Sequence, residues 1–250
     1  MKLKKIAIAS LLALPVSSPS FAQLEEIVVT AQKRSQTLQD IPIAVTVTSA
    51  ETIEKAQIQD LLDLQSVVPS LRVSTLQTSR NATFVIRGFG NGANNPGIEP
   101  SVGVFIDGVY RSRSAAAISD LPRTERVEVL SGPQSTLFGK NASAGVISVV
   151  TPTPSGERGG YISGSFGDFN ALVIKGLYED SINENLSFDI GGSYNSRDGY
   201  FENLTLNQDL NERNRFGLRG QLYWTPNDTT SVRVIADYDE IDEALSLIHI

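Results

Sequence analysis

The 250-residue sequence predicts an α+β domain followed by the first antiparallel strands of a transmembrane β-barrel. Three observations carry that expectation. The chain opens with an export signal, residues 41–154 mix short strands, helical patches and glycine turns, and from residue 158 onward the side chains alternate apolar and polar. Period-two alternation in segments of about ten residues, with aromatics near their ends, is the pattern of strands that cross a bilayer. The expected divisions are 1–22 (signal peptide), 23–40 (short extended segment and flexible linker), 41–154 (compact domain), 155–245 (five strands) and 246–250 (a tail that breaks the pattern).

The export signal comes first. Lys2, Lys4 and Lys5 form a basic start, Ile6 to Leu14 a short apolar run, and Ser20-Phe21-Ala22 a small-residue cut before Gln23. That apolar run is too short to span a bilayer, and no cysteine follows it, which excludes a lipid-anchored form. There are no cysteines anywhere, so disulfides and thiolate metal sites are excluded. The net charge of −7 becomes about −10 once the three signal lysines are removed, which argues against a nucleic-acid partner. A lone histidine, His249, leaves no room for a histidine-based triad or a multi-histidine metal site.

Within the compact domain, IPIAVTVTS (41–49) alternates as a strand, and Ser49 is a good N-cap for a helix over Ala50–Ala56. QIQDLLDLQSVV (57–68) predicts a second helical patch with Ile58, Leu61, Leu62 and Leu64 on one side, ended by Pro69. TFVIRGFG, SVGVFIDGVY, ERVEVLSGP and GVISVVT follow as short strands bounded by glycine turns. About 120 residues suffice for one small core.

The later segments alternate strictly. Leu186, Phe188, Ile190 and Tyr194 oppose Ser187, Asp189, Gly191 and Ser193. Phe216, Leu218, Leu222 and Trp224 oppose Arg219 and Gln221, while Val232, Val234, Ala236 and Tyr238 oppose Arg233, Asp237 and Asp239. ALVIKGLYED alternates through Leu172, Ile174 and Tyr178. A soluble antiparallel sandwich also alternates, so the connections are the better discriminator. With strand 159–167 running outward, Gly167–Asn170 is an outer turn, Asp180–Asn185 an inner one, Arg197–Arg213 a long outer loop and Pro226–Thr229 a tight inner turn. Short inner and long outer connections suit an outer-membrane barrel. Five strands cannot close, and open edges are not tolerated in lipid, so the chain reads as C-terminally truncated.

Two motifs point elsewhere. SGPQSTLFGKNASAGV (131–146) has a Gly-Lys pair like a phosphate loop, but six residues separate Gly132 from Gly139, and Asn141 follows the lysine. A phosphate loop needs four between its glycines and Ser or Thr after Lys, and an exported chain meets no ATP. Tight turns between ERVEVL and GVISVV are the better use of these glycines. The acidic run from Asp237 to Glu243 lacks the turn glycine of a calcium loop and reads as a solvated strand end.

In order along the chain, LEEIVVTAQKR, IPIAVTV, the LLDL patch ending in VVPSL, VIRGFG, VGVFIDGVY and RVEVLSGPQSTLFGKNASAGVISVVT resemble the TonB-dependent outer-membrane receptor family, over residues 24 to about 245. The resemblance implies a plug domain in the lumen of a barrel of roughly 22 strands. It also implies a TonB box at Glu26, Ile27, Val28, Val29, Thr30 and Ala31, gripped by the C-terminal domain of TonB in the TonB–ExbB–ExbD complex. That stretch is short, β-prone and bounded by polar residues, which suits strand addition to a partner's sheet edge. The implied activity is transport, driven by proton-motive force, of an iron–siderophore or similar chelate, or of another bulky nutrient such as cobalamin or an oligosaccharide. A passive porin would lack the box and the plug, and a barrel enzyme would need a nucleophile–base pair that His249 alone cannot supply. No long domain separates signal and box, which implies transport without a signalling role.

Phe89, Asn91, Asn94, Tyr110, Arg111 and Arg113 are the expected substrate-facing residues at the plug apex. The family often has Arg where this chain has Ser131, and that Arg takes part in charged plug–barrel contacts. Its absence leaves Arg87, Glu125, Arg126 and Glu128 as the candidates for that role. No catalytic residue, resident metal, cofactor or nucleic-acid partner is expected; outer-membrane lipid and the transported solute are.

Overall fold

The computed structural model describes residues 28–29, 34, 36–75, 82–90, 98–112, 120, 123–204 and 208–243. Strands β1 (Val28–Val29) and β2 (Gln36–Thr37) form a small antiparallel pair ahead of the domain. Strand β3 (Val45–Ser49) then runs into helix α1 (Ala50–Lys55), whose N-cap Ser49 accepts a hydrogen bond from the Thr52 N–H at 3.3 Å.

The second helical patch is not an α-helix. Gln57 takes a positive φ of 53°, and the Asp60 Oδ1 accepts from the N–H groups of Leu62 (2.7 Å) and Asp63 (3.1 Å). Such side-chain bonds compete with helical ones, so only a short 3₁₀ turn forms, over Asp63–Ser66. The apolar face is still the expected one, with Ile58, Leu61 and Leu64 buried. Hydrophobic burial was legible where backbone geometry was not.

Strands β4 (Leu71–Thr75), β5 (Ala82–Ile86) and β6 (Phe89–Gly90) make a three-stranded sheet. Strands β7 (Val102–Ile106), β8 (Val109–Tyr110), β9 (Arg126–Ser131) and β10 (Gly145–Val150) join β3 in a five-stranded sheet of order β3-β9-β10-β7-β8. The β10–β7 pairing is parallel and the others antiparallel. The β5–β6 and β7–β8 hairpins turn at Arg87-Gly88 and Asp107-Gly108, all four with positive φ, the turn whose twist matches that of the flanking strands. Between β9 and β10 the chain turns through Gly132 and the short helix α2 (Ser135–Phe138), then Gly139; both glycines have φ near 90°. The Gly-Lys stretch is therefore a connection between two paired strands, as the motif spacing indicated. One side of this domain buries a core of Leu61, Leu64, Ile86, Val127, Val129 and Ile147, the other a smaller cluster around Phe105, Leu130 and Val146.

Beyond residue 158 lie β11 (Gly159–Gly167), β12 (Ala171–Asn183), β13 (Leu186–Arg197), β16 (Arg213–Asn227) and β17 (Thr230–Ile241), a wholly antiparallel sheet in chain order. The long connection carries its own hairpin, β14 (Phe201–Asn203) with β15 (Gln208–Leu210). The strands run further than alternation alone indicated. Ladder pairing continues to Asn183 through a bulge, so the connection expected over 180–185 narrows to Glu184-Asn185. Among the described residues no helix is long and apolar enough to cross a membrane.

The two faces of this sheet are opposite in character. Ile190, Phe216, Leu218, Leu222, Trp224 and Val234 are exposed on one face, whereas Ser187, Asp189, Asn195, Arg215 and Gln221 are buried on the other, against the α+β domain. A soluble sandwich buries its apolar face; here the polar face is the buried one. This is the inside-out arrangement of a membrane barrel wall around a lumenal domain.

Candidate functional site

Three regions bear on function: the N-terminal strand, the turns at one end of the domain, and the seam between the domain and the sheet. Of the box residues, Glu26, Ile27, Thr30 and Ala31 lie outside the described residues. Val28 pairs with Thr37 and Val29 with Gln36. Val29 is fully buried and packs in the cluster that includes Phe105, Leu130, Ala142 and Val146. The segment is thus strand-forming, and its pairing edge is taken by β2.

At the turns, Phe89 is 72% exposed beside the Arg87-Gly88 turn. Tyr110 tilts against Phe105 with ring centroids 5.3 Å apart, and its hydroxyl accepts from Asn141 Nδ2 at 2.7 Å. Arg111 is drawn into an ion pair with Asp237 of β17 at 2.8 Å. Asn91, Asn94 and Arg113 lie outside the described residues. The structure therefore brings Tyr110 and Arg111 together through β8 and leaves Phe89 on the separate three-stranded sheet.

The seam is densely charged. Asp60, Asp107 and Asp120 of the domain meet arginines that project inward from β16 and β17. Arg215 pairs with Asp60, Asp120 and Glu243, and its side chain is only 4% exposed. Arg213 reaches Asp60 at 3.7 Å, and Gln59 Oε1 accepts from Asn195 Nδ2 at 2.8 Å. Asp107, already at a hairpin turn, accepts from Arg219 and from Thr151 Oγ1. Arg233 adds bonds to Thr151 Oγ1 (2.7 Å) and the Pro152 carbonyl (3.1 Å). At the far side Arg123 pairs with Glu179 at 2.9 Å.

The residues singled out for plug–barrel contacts sit differently. Arg126 pairs with Glu125 and Glu128 inside the domain, and Glu128 is wholly buried in strand β9, between β3 and β10. Arg87 holds the β5–β6 turn, its N–H donating to the Ser70 carbonyl at 2.8 Å. Ser131 donates its N–H to Ala44 and pairs with Gly145 in the sheet. The seam aspartates Asp60, Asp107 and Asp120 were not singled out in the sequence. A signal was present, because Arg219 and Arg233 occupy the polar phase of strands whose other phase is apolar, and charges on that phase require buried partners.

With the geometry in place, comparison with known proteins is informative. Residues 37–146 match the TonB-dependent Receptor Plug Domain family. The vitamin B12 transporter BtuB of Vibrio vulnificus is 35% identical over 166 residues, 63% of this chain and 26% of that protein. The pesticin receptor of Yersinia pestis is 31% identical over 65% of this chain and 24% of its own length. The ferric yersiniabactin uptake receptor FyuA from Yersinia pestis superposes with a TM-score of 0.73 at 26% identity, covering 79% of this chain and 31% of that one. The ferripyoverdine receptor of Pseudomonas aeruginosa, at 19% identity and a TM-score of 0.70, shares the fold. The chain spans about a quarter of the length of the curated relatives it matches. Plug motifs in order, a polar sheet face packed on that domain and an apolar face turned outward accompany the family match, and residues 37–146 of this chain are a TonB-dependent receptor plug domain.

Proposed function

We propose that this sequence belongs to an energised outer-membrane transporter that takes up a scarce, bulky solute, most simply a ferric siderophore or similar metal chelate. The observation that carries this reading is the plug itself, a folded domain held by buried ion pairs against the lumenal face of the strands. A passive pore has no use for such an obstruction, and opening it requires work. The outer membrane holds no ATP, so the work must arrive mechanically from the inner membrane. Relatives named as a vitamin B12 transporter and a ferric yersiniabactin uptake receptor support the substrate class; cobalamin or an oligosaccharide is the alternative cargo. Transport rather than catalysis is the role, given a sequence with one histidine and no cysteine.

The TonB C-terminal domain is the partner, and Glu26 to Ala31 the segment it grips by strand addition. For that grip, Val28 and Val29 must leave β2, and Val29 must leave its pocket. Phe89, Tyr110 and the neighbouring Asn91, Asn94, Arg111 and Arg113 form the cargo-facing side. Arg87, Glu125, Arg126 and Glu128 are the further candidates for holding the plug. The test is uptake of radiolabelled ferric chelates by cells that express a complete receptor carrying this sequence. Uptake is expected to stop with an uncoupler and with Val28→Pro, which removes a main-chain donor from the added strand. Undiminished uptake under either condition would sink the reading.

A further inference from the structure

Between its two arginine grips, the seam does not close. A recess of about 70 Å³ lies between the plug residues Arg111 and Asp120 and the inner face of β12, β13, β16 and β17. Its floor follows from the register. Lys175, Ser193, Gly217 and Asp239 are direct neighbours across four adjacent strands, all on the lumenal phase. Small residues in the middle of that row leave the space open. A Cβ on Gly217 would lie 2.9 Å from Ser193 Oγ and 3.1 Å from Asp239 Oδ1, so both polar atoms line the volume that Gly217 leaves free.

The chemistry of the walls is unsatisfied. Asp120 Oδ2, Arg111 Nε and Arg219 Nε are buried and lack hydrogen-bond partners among the described residues, and all three residues line the recess. Lys175 and Asp239, at opposite ends of the row, enter no ion pair among the described residues, unlike Arg111, Arg123 and Arg219 around them. Buried acceptors and donors without partners are costly, and a polar space with room for several waters is where water or a small polar solute resides. One end offers an ammonium and the other a carboxylate, so the site is bipolar.

We infer that this recess is a solvent-connected polar chamber in the plug–wall seam, which admits small hydrophilic molecules of either charge while the plug stays in place. The inference rests on the plug-in-barrel reading and does not depend on which cargo is carried. Its walls assign the roles. Lys175 attracts anions, Asp239 attracts cations, and Gly217 keeps the passage open.

The experiment uses a complete receptor carrying this sequence, with an introduced thiol as its sole cysteine. Ser193→Cys is isosteric and reports on the chamber; Val129→Cys, buried in β9, is the sealed reference. Non-energised cells are exposed to small impermeant methanethiosulfonates, one cationic and one anionic. Ser193→Cys is expected to react with both, roughly tenfold or more faster than Val129→Cys, whose labelling waits on local unfolding. Adding Lys175→Met should shift the rate ratio about tenfold toward the cationic reagent, and Asp239→Asn the same amount toward the anionic one, as fixed charges change local ion concentration. Gly217→Leu should slow both reagents. Labelling of Ser193→Cys as slow as that of Val129→Cys would overturn the chamber, and a charge ratio unmoved by both neutralisations would overturn its bipolar character. Failure of chelate uptake by energised cells that express the same receptor would count against the transport reading alone, since labelling is scored on receptor recovered in the outer-membrane fraction.

Discussion

At the residue scale, the decisive atoms are those of Arg215. Its guanidinium is buried among Asp60, Asp120 and Glu243, and its fixed planar donors can serve several carboxylates at once. Truncating it leaves those acids buried without their cation, which costs about 3–5 kcal/mol. Arg215→Met should therefore lower the stability of the plugged state by that amount, read as an earlier urea midpoint for plug unfolding in a complete receptor. Replacing Arg215 together with Asp60 by apolar residues should cost less than replacing Arg215 alone. Asp63 acts in the opposite sense. Burial first, and the neighbouring Asp60 carboxylate second, raise its proton affinity in the fold, while its carboxylate accepts from the Gln59 N–H at 3.0 Å. A carboxyl with a raised folded pKa binds its proton more tightly in the native state, so its charged form weakens the fold at neutral pH. That penalty disappears as pH falls through the folded value. Asp63→Asn keeps the acceptor and removes the charge. Its urea midpoint should exceed that of the parent at pH 7, and the difference should close as the medium is acidified. A constant difference across that range would rule out ionisation of Asp63 as the cause.

At the element scale, the β9–β10 connection shows how a glycine-rich stretch serves a turn. Gly139 sits at φ 90°, ψ −176° at the end of α2, a region that side-chain-bearing residues rarely enter. Nothing lies within 4 Å of a Cβ placed there, so the constraint is backbone conformation alone. Gly139→Ala should destabilise the plug by about 1–3 kcal/mol, checked by denaturant unfolding, while Lys140→Ala beside it should have little effect. Among the described residues Lys140 makes an exposed pair with Glu99. A phosphate-loop role would predict the reverse ranking. The patch at 57–68 gives the complementary lesson. Helical periodicity placed Ile58, Leu61 and Leu64 correctly in the core, yet the Asp60 side chain bonded the backbone and stopped the helix.

At the scale of the whole molecule, the sheet has exchanged the usual roles of its two faces. Ile190 in mid-strand on β13 points outward at 48% exposure, whereas its neighbour Asp189 is buried and bonded to Gln221. If the outward face meets lipid, Ile190→Lys should cost about 2–4 kcal/mol of membrane-folding free energy, measured by urea titration of a complete receptor in vesicles. No penalty there would mean that this face meets water. The plug is held on the inward face by ion pairs that run both ways, with Asp60 and Asp107 of the plug meeting wall arginines and Arg111 and Arg123 of the plug meeting wall acids. Such a surface can be solvated when it parts, which fits the transport role proposed above.

The sequence by itself determined the order of the pieces, the strand phases and the identity of the plug motifs. Each is written in local periodicity or in turn chemistry, as in Leu186–Tyr194 or Asp107-Gly108. It also held the negative result, since spacing within 131–146 was enough to reject a nucleotide site. The pairing of Asp60, Asp107 and Asp120 with Arg213, Arg215, Arg219 and Arg233 was decided only by tertiary structure. Those partners lie far apart in the chain, from 95 positions for Arg215 with Asp120 to 155 for Arg215 with Asp60. Local pattern carries no information about which buried charge meets which. The chamber at Gly217 has the same origin, because a small residue in one strand opens a space only when the neighbouring register places Ser193 and Asp239 beside it. Periodicity sets the face on which a side chain lies; the packing of plug against wall sets what it meets there.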